Sequence, residues 1–210
     1  TIDAYHHLAA DSRKWLQQGW CDYLSPQLYW RIKSPQSFSR LIAWWRSQGT
    51  RPVWPGIASA RINSSEDPGR RASEIANQVS LTRTVGKNYV GHVFWSMKSL
   101  MTNKGGISNE LVKKFYQEPA LVPPMPWSSR NFPQTPNVLA KGSNGNLDVV
   151  WRPVPGCSQY AIQARIGRTW RLITVARGTK TNLKGLPDAI AVSAVDRYSN
   201  TSNPRVLARP

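Results

Sequence analysis

The sequence predicts an α/β region built from parallel strand–helix units, followed by an all-β antiparallel sandwich. In the first half, apolar residues with helical spacing alternate with short apolar runs that recur about every thirty to forty residues, which is typical of parallel βα units. Beyond about residue 135 the apolar period becomes two and turn residues separate the runs, which indicates a sandwich. The 210 residues are 40% hydrophobic, which is enough for a sizeable core.

The stretch 22–30 is the first predicted strand, and the other segments are placed around it. Its alternating residues are Leu24, Pro26 and Leu28 on one side and Ser25, Gln27 and Tyr29 on the other. In a strand these two sets point to opposite faces. One face is therefore expected to pack against helices, and the other carries hydrogen-bonding groups.

One helix is predicted before this strand and one after it. The first covers residues 3 to about 18 and ends at Gly19, because its apolar residues repeat on one helical face. The second begins with Ser34 as the N-cap and Pro35 at the first helical position, and it ends near Gly49.

Two more strands and two more helices follow. The strands are residues 52–58 and 89–96, and the prolines in the first of these predict imperfect ladder bonding. One helix starts at Ala72 and stops near Gly86, and another covers residues 107–115, after a loop. Three parallel strands are too few to close a barrel, so this region is either an open sheet or the last part of a barrel.

A proline-rich stretch separates this region from the second one. It runs from Pro119 to Pro136 and includes Trp127 and Phe132, so we expect an extended linker that docks through its aromatic rings. About seven short strands follow in about eighty residues. The glycine-rich segment 142–146 is interpreted as a hairpin turn, since it lacks the helix and lysine of a phosphate-binding loop.

The formal net charge of +17 favours a polyanionic partner. The basic residues are scattered, however, and the sequence contains no recognisable nucleic-acid motif. The densest cluster, interpreted as solvated strand faces, comprises Arg165, Arg168, Arg171, Arg177, Lys180 and Lys184, interleaved with Trp170.

No metal site, disulfide framework or membrane span is expected. Cys21 and Cys157 are far apart and are interpreted as two isolated buried thiols. His6 and His7 are adjacent on a predicted helix and cannot share a metal ion. No apolar run reaches the roughly eighteen residues of a membrane span, and no leader is evident, which is consistent with a mature product or a fragment.

Four blocks of the first region resemble the glycosyl hydrolase-like 10 family of bacterial envelope proteins. The blocks are residues 15–30, 44–45, 94–100 and 119–127. Residues 136–208 resemble a fibronectin type III module, with core positions at Trp151, Tyr160 and Leu186.

The resemblance implies the C-terminal portion of a (β/α)8 TIM-type barrel followed by a fibronectin type III-like sandwich. The implied domains are a partial glycosidase-like barrel of about three βα units (1–118), a proline and aromatic linker (119–135) and the sandwich (136–210). The N-terminal barrel half would lie upstream. The implied activity is cleavage of an envelope glycan of the peptidoglycan kind, in the periplasm or from an outer-membrane lipoprotein, with membrane association only through an upstream lipid anchor.

Glycoside hydrolysis normally needs two carboxyl groups beside the scissile bond, and in a barrel they lie at the carboxyl ends of strands. None of the eleven acids occupies such a position. Asp22 is at the start of its strand, the end opposite to the carboxyl end, whereas Glu66 and Asp67 are interpreted as a helix entry. Because the family pattern places its acids on an earlier strand, we expect no catalytic residue, no cofactor and no activity in this chain alone.

The expected contribution of the chain is sugar binding at the strand ends. Aromatic faces suit the C–H faces of sugar rings, while amide, hydroxyl and ammonium groups can bind sugar substituents. Trp54 and Trp95 could equally be core residues. The candidate substrate-binding residues are Gln27, Tyr29, Trp30, Trp54, Trp95, Ser96 and Lys98. The alternatives are a non-catalytic module that binds an anionic glycan and, with less support, a nucleic-acid binder.

Overall fold

The computed structural model describes residues 3–85 and 90–208. The chain forms two compact units, divided between Phe115 and Tyr116. Within the described ranges, no helix is long and apolar enough to cross a membrane.

The first unit contains six α-helices among its described residues. They are α1 (Ala4–Leu8), α2 (Ser12–Gln17), α3 (Phe38–Arg46), α4 (Ala72–Val85), α5 (Met97–Met101) and α6 (Ile107–Lys114). The prediction of one continuous first helix is wrong. Ala9 adopts a left-handed conformation (φ 51°), and the Asp11 side chain accepts a hydrogen bond from the Lys14 N–H at 3.0 Å, so that a second helix begins there.

The predicted start of α3 is also wrong. Ser37, rather than Ser34, is the N-cap, and its hydroxyl donates to the Ile32 carbonyl at 2.7 Å. The short helix α5 lies in a stretch predicted to be a loop. The predicted helix stop at Gly86 and the start of the third strand at Tyr89 lie outside the described residues.

Three parallel segments form the sheet of the first unit in chain order. An extended segment at residues 24–28, the edge segment, pairs with β1 (Gly56–Ile57) and the residues before it through the bridges Leu24–Val53 and Gln27–Gly56. β1 in turn pairs with β2 (Val93–Phe94). The regular pairing is short because prolines interrupt the first two segments and cannot donate to a ladder, which confirms the predicted imperfect bonding.

The two faces of this sheet differ in burial. Leu28 and Ile57 are buried in a cluster with α3, α4 and α6, whose buried members are Phe38, Ile42, Ile75, Val79, Ile107 and Leu111. The opposite face is open at Gln27, at Val93 (45% exposed) and at Trp95 (62% exposed). The carboxyl end of the first strand therefore has one buried face and one open face, as predicted.

The second unit is a sandwich of a three-stranded and a four-stranded antiparallel sheet, with strand orders β3–β4–β7 and β6–β5–β8–β9. The strands are β3 (Val138–Ser143), β4 (Asn146–Trp151), β5 (Cys157–Ile166), β6 (Thr169–Ala176), β7 (Lys180–Lys184), β8 (Ala189–Asp196) and β9 (Arg205–Ala208). Asn144 and Gly145 both have positive φ and join β3 to β4 in a two-residue hairpin, as predicted for this segment.

Two of the three predicted core residues of the sandwich are buried. Trp151 is 5% exposed and Tyr160 is 2% exposed, and both belong to the core. The prediction for Leu186 is wrong, because this residue is 41% exposed. β7 ends at Lys184, before Leu186, and Leu183 occupies the buried position instead.

Hydrogen bonds hold the linker to the turn after β8. The Met125 N–H donates to the Tyr198 carbonyl at 2.9 Å, and the Asn200 amide donates to the Ser129 carbonyl at 3.3 Å. Phe132 is 65% exposed, so this ring does not dock the linker as predicted. Both cysteines are free but only partly buried, which corrects the prediction of buried thiols.

Candidate functional site

The carboxyl end of the three parallel segments brings together several of the predicted residues. The register aligns Gln27, Gly56 and Val93 in one row. Tyr29 lies two residues after Gln27, and Trp95 lies two residues after Val93. Because side chains alternate along a strand, both are on the same open face, and their Cα atoms are separated by two strand spacings, about 10 Å. We call the open face around Gln27, Tyr29 and Trp95 the rim.

Tyr29 extends across β1 toward the centre of the rim. A Cβ atom at Gly56 would lie 3.5 Å from Tyr29 Cε1, so the ring covers the glycine. The Arg61 guanidinium lies over this ring, 5.6 Å from its centroid, and pairs with Glu66 at 3.1 Å. Burial raises the pKa of the Tyr29 hydroxyl, although the Arg61 charge opposes this effect, and the hydroxyl therefore stays protonated and can donate as well as accept.

Backbone contacts fix Trp95 while its ring stays exposed. The Trp95 N–H donates to the Ile57 carbonyl at 2.8 Å, and the Trp95 carbonyl accepts from the Ala60 N–H at 2.8 Å. Lys104 Nζ donates to the Ala60 carbonyl at 2.8 Å. The peptide bond from Trp95 to Ser96 is cis. The indole is thus held at the rim by its own backbone, with 62% of its surface free for contact.

Ser96 and Lys98 follow Trp95 at the start of α5. The Ser96 carbonyl accepts a hydrogen bond from Ser99 Oγ at 2.7 Å, and Ser99 Oγ lies 2.7 Å from Ser59 Oγ in a buried contact. This chain of contacts links the loop after β2 to the loop after β1. Lys98 is exposed on the helix.

Side chains that precede or belong to α4 hold the backbone after the edge segment. Arg70 Nη2 donates to the Tyr29 carbonyl at 2.8 Å. Gln78 Nε2 donates to the Trp30 carbonyl at 2.8 Å, and Glu74 Oε1 accepts from the Ile32 N–H at 2.7 Å. Trp30 is half-buried, and its backbone position is set by this network of side chains, which no local sequence pattern predicts.

Asp67 anchors the same network through two arginines. Its carboxylate lies 2.5 Å from Arg31 Nη2 and 2.5 Å from Arg70 Nε, and the Arg70 side chain is only 1% exposed. Partial burial raises the pKa of Asp67, but the hydrogen bond from Arg31 and the charges of both arginines outweigh it and hold this pKa below its usual value. Asp67 is therefore an ionised structural carboxylate in the loop that leads into α4, which begins at Ala72 as predicted.

The structure places Trp54 away from the rim. Trp54 lies before Gly56, toward the amino end of β1, and its ring stacks on Tyr23 with centroids 4.2 Å apart and planes at 28°. A Cβ atom at Gly91 would lie 2.8 Å from Trp54 Cδ1 and Nε1. The indole is thus packed between the neighbouring segments.

Replacing Gly91 with alanine should destabilise the first unit by about 2 kcal/mol, because the added methyl group overlaps the Trp54 ring and the ring cannot move without losing its stack. Urea denaturation measures this cost. The matched test is the same change in a Trp54→Leu background, where the cost should be smaller by about 1 kcal/mol. An equal cost in both backgrounds would show that the methyl group acts elsewhere.

Among the residues that the structure describes, the rim contains no pair of free carboxylates and no metal-binding cluster. Glu66, the acid beside it, pairs with Arg61. Within the described part of the chain, no group of three histidine, cysteine or acidic side chains could hold a metal ion. His92, beside Phe94, has its pKa lowered to about 4, chiefly by burial and further by Arg83, so it is neutral at neutral pH. The rim can bind and orient a ligand through aromatic, amide and hydroxyl groups.

The densest basic cluster of the sequence does not form one surface. Arg165 and Trp170 contact each other, at 5.8 Å, on the four-stranded sheet. Lys180 and Lys184 belong to β7 in the three-stranded sheet. The cluster is thus divided between two sheets and offers no continuous basic and aromatic track.

The fold and rim define a parallel α/β unit with an open carboxyl-end face, joined to an antiparallel sandwich. No family model matches the chain. The chain is 36% identical over 150 residues to glycosyl hydrolase YngK from Bacillus subtilis (strain 168), a match that covers 68% of this chain and 29% of that protein. It is 42% identical over 43 residues to glycosyl hydrolase DigH from Escherichia coli (strain K12), covering 20% and 10% respectively. The chain therefore matches less than a third of the length of these curated relatives.

Three solved structures that are similar to parts of this chain have TM-scores below 0.5. FN3tt has a TM-score of 0.34 at 20% identity and covers 38% of this chain and 94% of that one. The glycoside hydrolase domain of Endo-D from Streptococcus pneumoniae R6 has a TM-score of 0.33 at 17% identity, covering 38% and 15%. Chitinase ChiA74 from Bacillus thuringiensis has a TM-score of 0.31 at 17% identity, covering 68% and 23%.

Proposed function

We propose that this chain is the C-terminal part of a glycoside hydrolase that acts on a bacterial envelope glycan of the peptidoglycan kind. Its role is to bind and orient the sugar at the rim, while the catalytic carboxylates belong to segments that precede it. The observation that carries the proposal is the rim itself, where Gln27, Tyr29 and Trp95 share an open face at the carboxyl end of parallel segments. The sequence similarity to part of a curated glycosyl hydrolase supports it.

The open face is the reason to treat the three segments as the last strands of a (β/α)8 barrel. In the described part of the chain, α3, α4 and α6 pack on one face, as on the outside of a barrel, and the other face has the polar and aromatic character of a barrel mouth. The backbone groups of residues 24, 26 and 28 bond toward β1. The backbone groups of the residues between them are then directed away from β1, toward the side where a further parallel strand of the proposed barrel would pair.

The chemistry of the rim suits a neutral or acidic sugar. The Trp95 indole can stack on the C–H face of a sugar ring, and the Gln27 amide and Tyr29 hydroxyl can bond its hydroxyl or acetamido groups. The exposed Lys98 ammonium can bind a sugar carboxylate. Hydrolysis also needs an acid and a base or nucleophile on opposite sides of the bond, and this chain does not offer that pair at the rim.

Replacing Trp95 with alanine in the full-length gene product should lower kcat/KM on peptide-free peptidoglycan glycan strands about tenfold, because an exposed stacking surface is lost while the backbone bonds of Trp95 remain. Release of soluble sugar fragments measures the rate. Trp44→Ala is the matched control, since Trp44 is 46% exposed on α3 and should leave kcat/KM unchanged.

The 210-residue chain alone should release no fragments. Hydrolysis by this chain, abolished by Glu66→Gln, would overturn the assignment of the catalytic acids to other segments. A full-length product that binds these strands through Trp95 without cutting them would favour the non-catalytic binding module instead. Localisation in the periplasm or at the outer membrane is part of the same proposal and follows from its substrate.

A further inference from the structure

The outer face of the three-stranded sheet in the second unit carries a cluster of cations. The register of β3, β4 and β7 puts Leu139, Val150 and Lys180 in one row and Lys141, Asp148 and Asn182 in the next. The neighbouring inward residues Val138, Val149 and Leu183 are buried, so the alternate residues point outward. The exposed cations of this basic face are Lys141, Arg152, Lys180 and Lys184.

An exposed apolar pair lies among these cations. Leu139 is 70% exposed and Val150 is 45% exposed, and the two are directly opposite each other in the register. Lys180 continues the same row, and Lys141 lies two residues from Leu139 on β3. The basic face is thus the outer surface of a three-stranded sheet, with aliphatic side chains in the middle and cationic groups around them.

The basic face carries more cations than carboxylates. Among the described residues, Asp148 is the one carboxylate of this face; it lies opposite Lys141 in the register and accepts a hydrogen bond from Asn182 Nδ2 at 2.7 Å. None of the four cations has an ion pair with a carboxylate among the residues that the structure describes. In the first unit, by contrast, Arg31, Arg61 and Arg70 are each paired with an acid. The positive charge of the basic face is therefore available to an external anion.

We propose that the basic face docks on an anionic lipid bilayer. The headgroup layer of such a bilayer is negatively charged, and lysine stems can lie along the acyl boundary while their ammonium groups bind lipid phosphates. The central Leu139 and Val150 pair distinguishes a bilayer from a soluble polyanion, since only the bilayer removes these side chains from water. This inference is independent of the proposed glycosidase function, because it uses no residue of the rim.

The affinity of the basic face for an anionic bilayer is expected to be modest, because it comes from a few cations and one apolar pair. Each cation at an anionic membrane surface strengthens binding by about fivefold, and the effect is confined to about one Debye length. Binding should accordingly weaken as salt is raised. It should also require anionic lipid.

Replacing Lys141, Lys180 and Lys184 with glutamine together should weaken binding of the 210-residue chain to vesicles containing about one-third phosphatidylglycerol by about 100-fold, which is about fivefold for each lysine. Vesicle flotation measures the bound fraction, with phosphatidylcholine vesicles as the uncharged reference. The matched control removes three exposed cations elsewhere, Lys33→Gln, Arg130→Gln and Arg168→Gln, and has the same net charge. It should change binding less than about threefold.

Leu139→Ser tests the apolar part of the contact. It should weaken vesicle binding about fivefold and leave binding to polyglutamate, a soluble polyanion, unchanged. An equal loss in the charge-matched control would overturn the proposal in favour of net charge alone. Unchanged vesicle binding by Leu139→Ser, together with strong competition by polyglutamate, would overturn it in favour of a soluble polyanion. Circular dichroism checks that each variant is folded.

Discussion

Replacing Ile57 with alanine should lower the free energy of unfolding of the first unit by about 4 kcal/mol. Ile57 is fully buried in β1, the middle segment of the sheet, and belongs to the cluster formed with α3, α4 and α6. Truncation removes its contacts with this cluster and leaves a cavity that the surrounding elements cannot fully close. Urea denaturation followed by amide hydrogen exchange in the first unit measures the loss.

Val93→Ala is the matched control, because it truncates a side chain on the open face of the same sheet. Val93 lies in the adjacent β2 but is 45% exposed on the open face, so its truncation should cost less than about 0.5 kcal/mol. A cost comparable to that of Ile57→Ala would mean that the open face is covered in this chain. That result would contradict the rim as a ligand-accessible surface.

Replacing Asp67 with asparagine should lower the free energy of unfolding by about 3 kcal/mol, because it leaves the buried Arg70 guanidinium without its opposite charge. The same change removes the ion pair of Arg31. It also weakens the hydrogen bond from Arg70 to the Tyr29 carbonyl, because Arg70 is no longer held by Asp67. In the full-length gene product we therefore expect a weaker interaction with glycan as well. Denaturation and glycan binding should change together.

The pH dependence of Asp67 provides a second measurement. Its folded pKa lies below the usual value of 3.8, so its stabilising contribution is complete above pH 3.8 and is lost as the pH falls through the folded pKa. The stability difference between the native chain and Asp67→Asn should shrink below pH 3.8. Glu66→Gln is the control, since the Glu66 side chain is 69% exposed and its pair should contribute less than about 1 kcal/mol. A stability difference that persisted at low pH would contradict an ionised Asp67.

Local patterns were sufficient to predict much of the architecture. The alternation around Leu28 predicted a buried and an open side, because side chains of a strand point alternately to its two faces. Prolines in residues 52–58 predicted a poorly bonded strand, since proline has no N–H to donate. The glycine and asparagine turn at 142–146 predicted a hairpin, because positive φ is required there.

Other features depend on neighbours that the chain brings together only on folding. Asp67 pairs with Arg31 across 36 residues, and no local pattern links them. Trp54 and Trp95 are both tryptophans in predicted strands, yet register packs the first against Tyr23 and leaves the second open on the rim.

The sequence by itself determined the order of the parallel segments and of the sandwich strands along the chain, and the open side of the first sheet. These follow from side-chain alternation, turn chemistry and residue identity, which are local properties. Only the tertiary structure decided which aromatic ring is exposed, which carboxylate is structural and which cations share a face. Those outcomes depend on register and on contacts between distant residues, because burial and electrostatic pairing arise only when the segments pack.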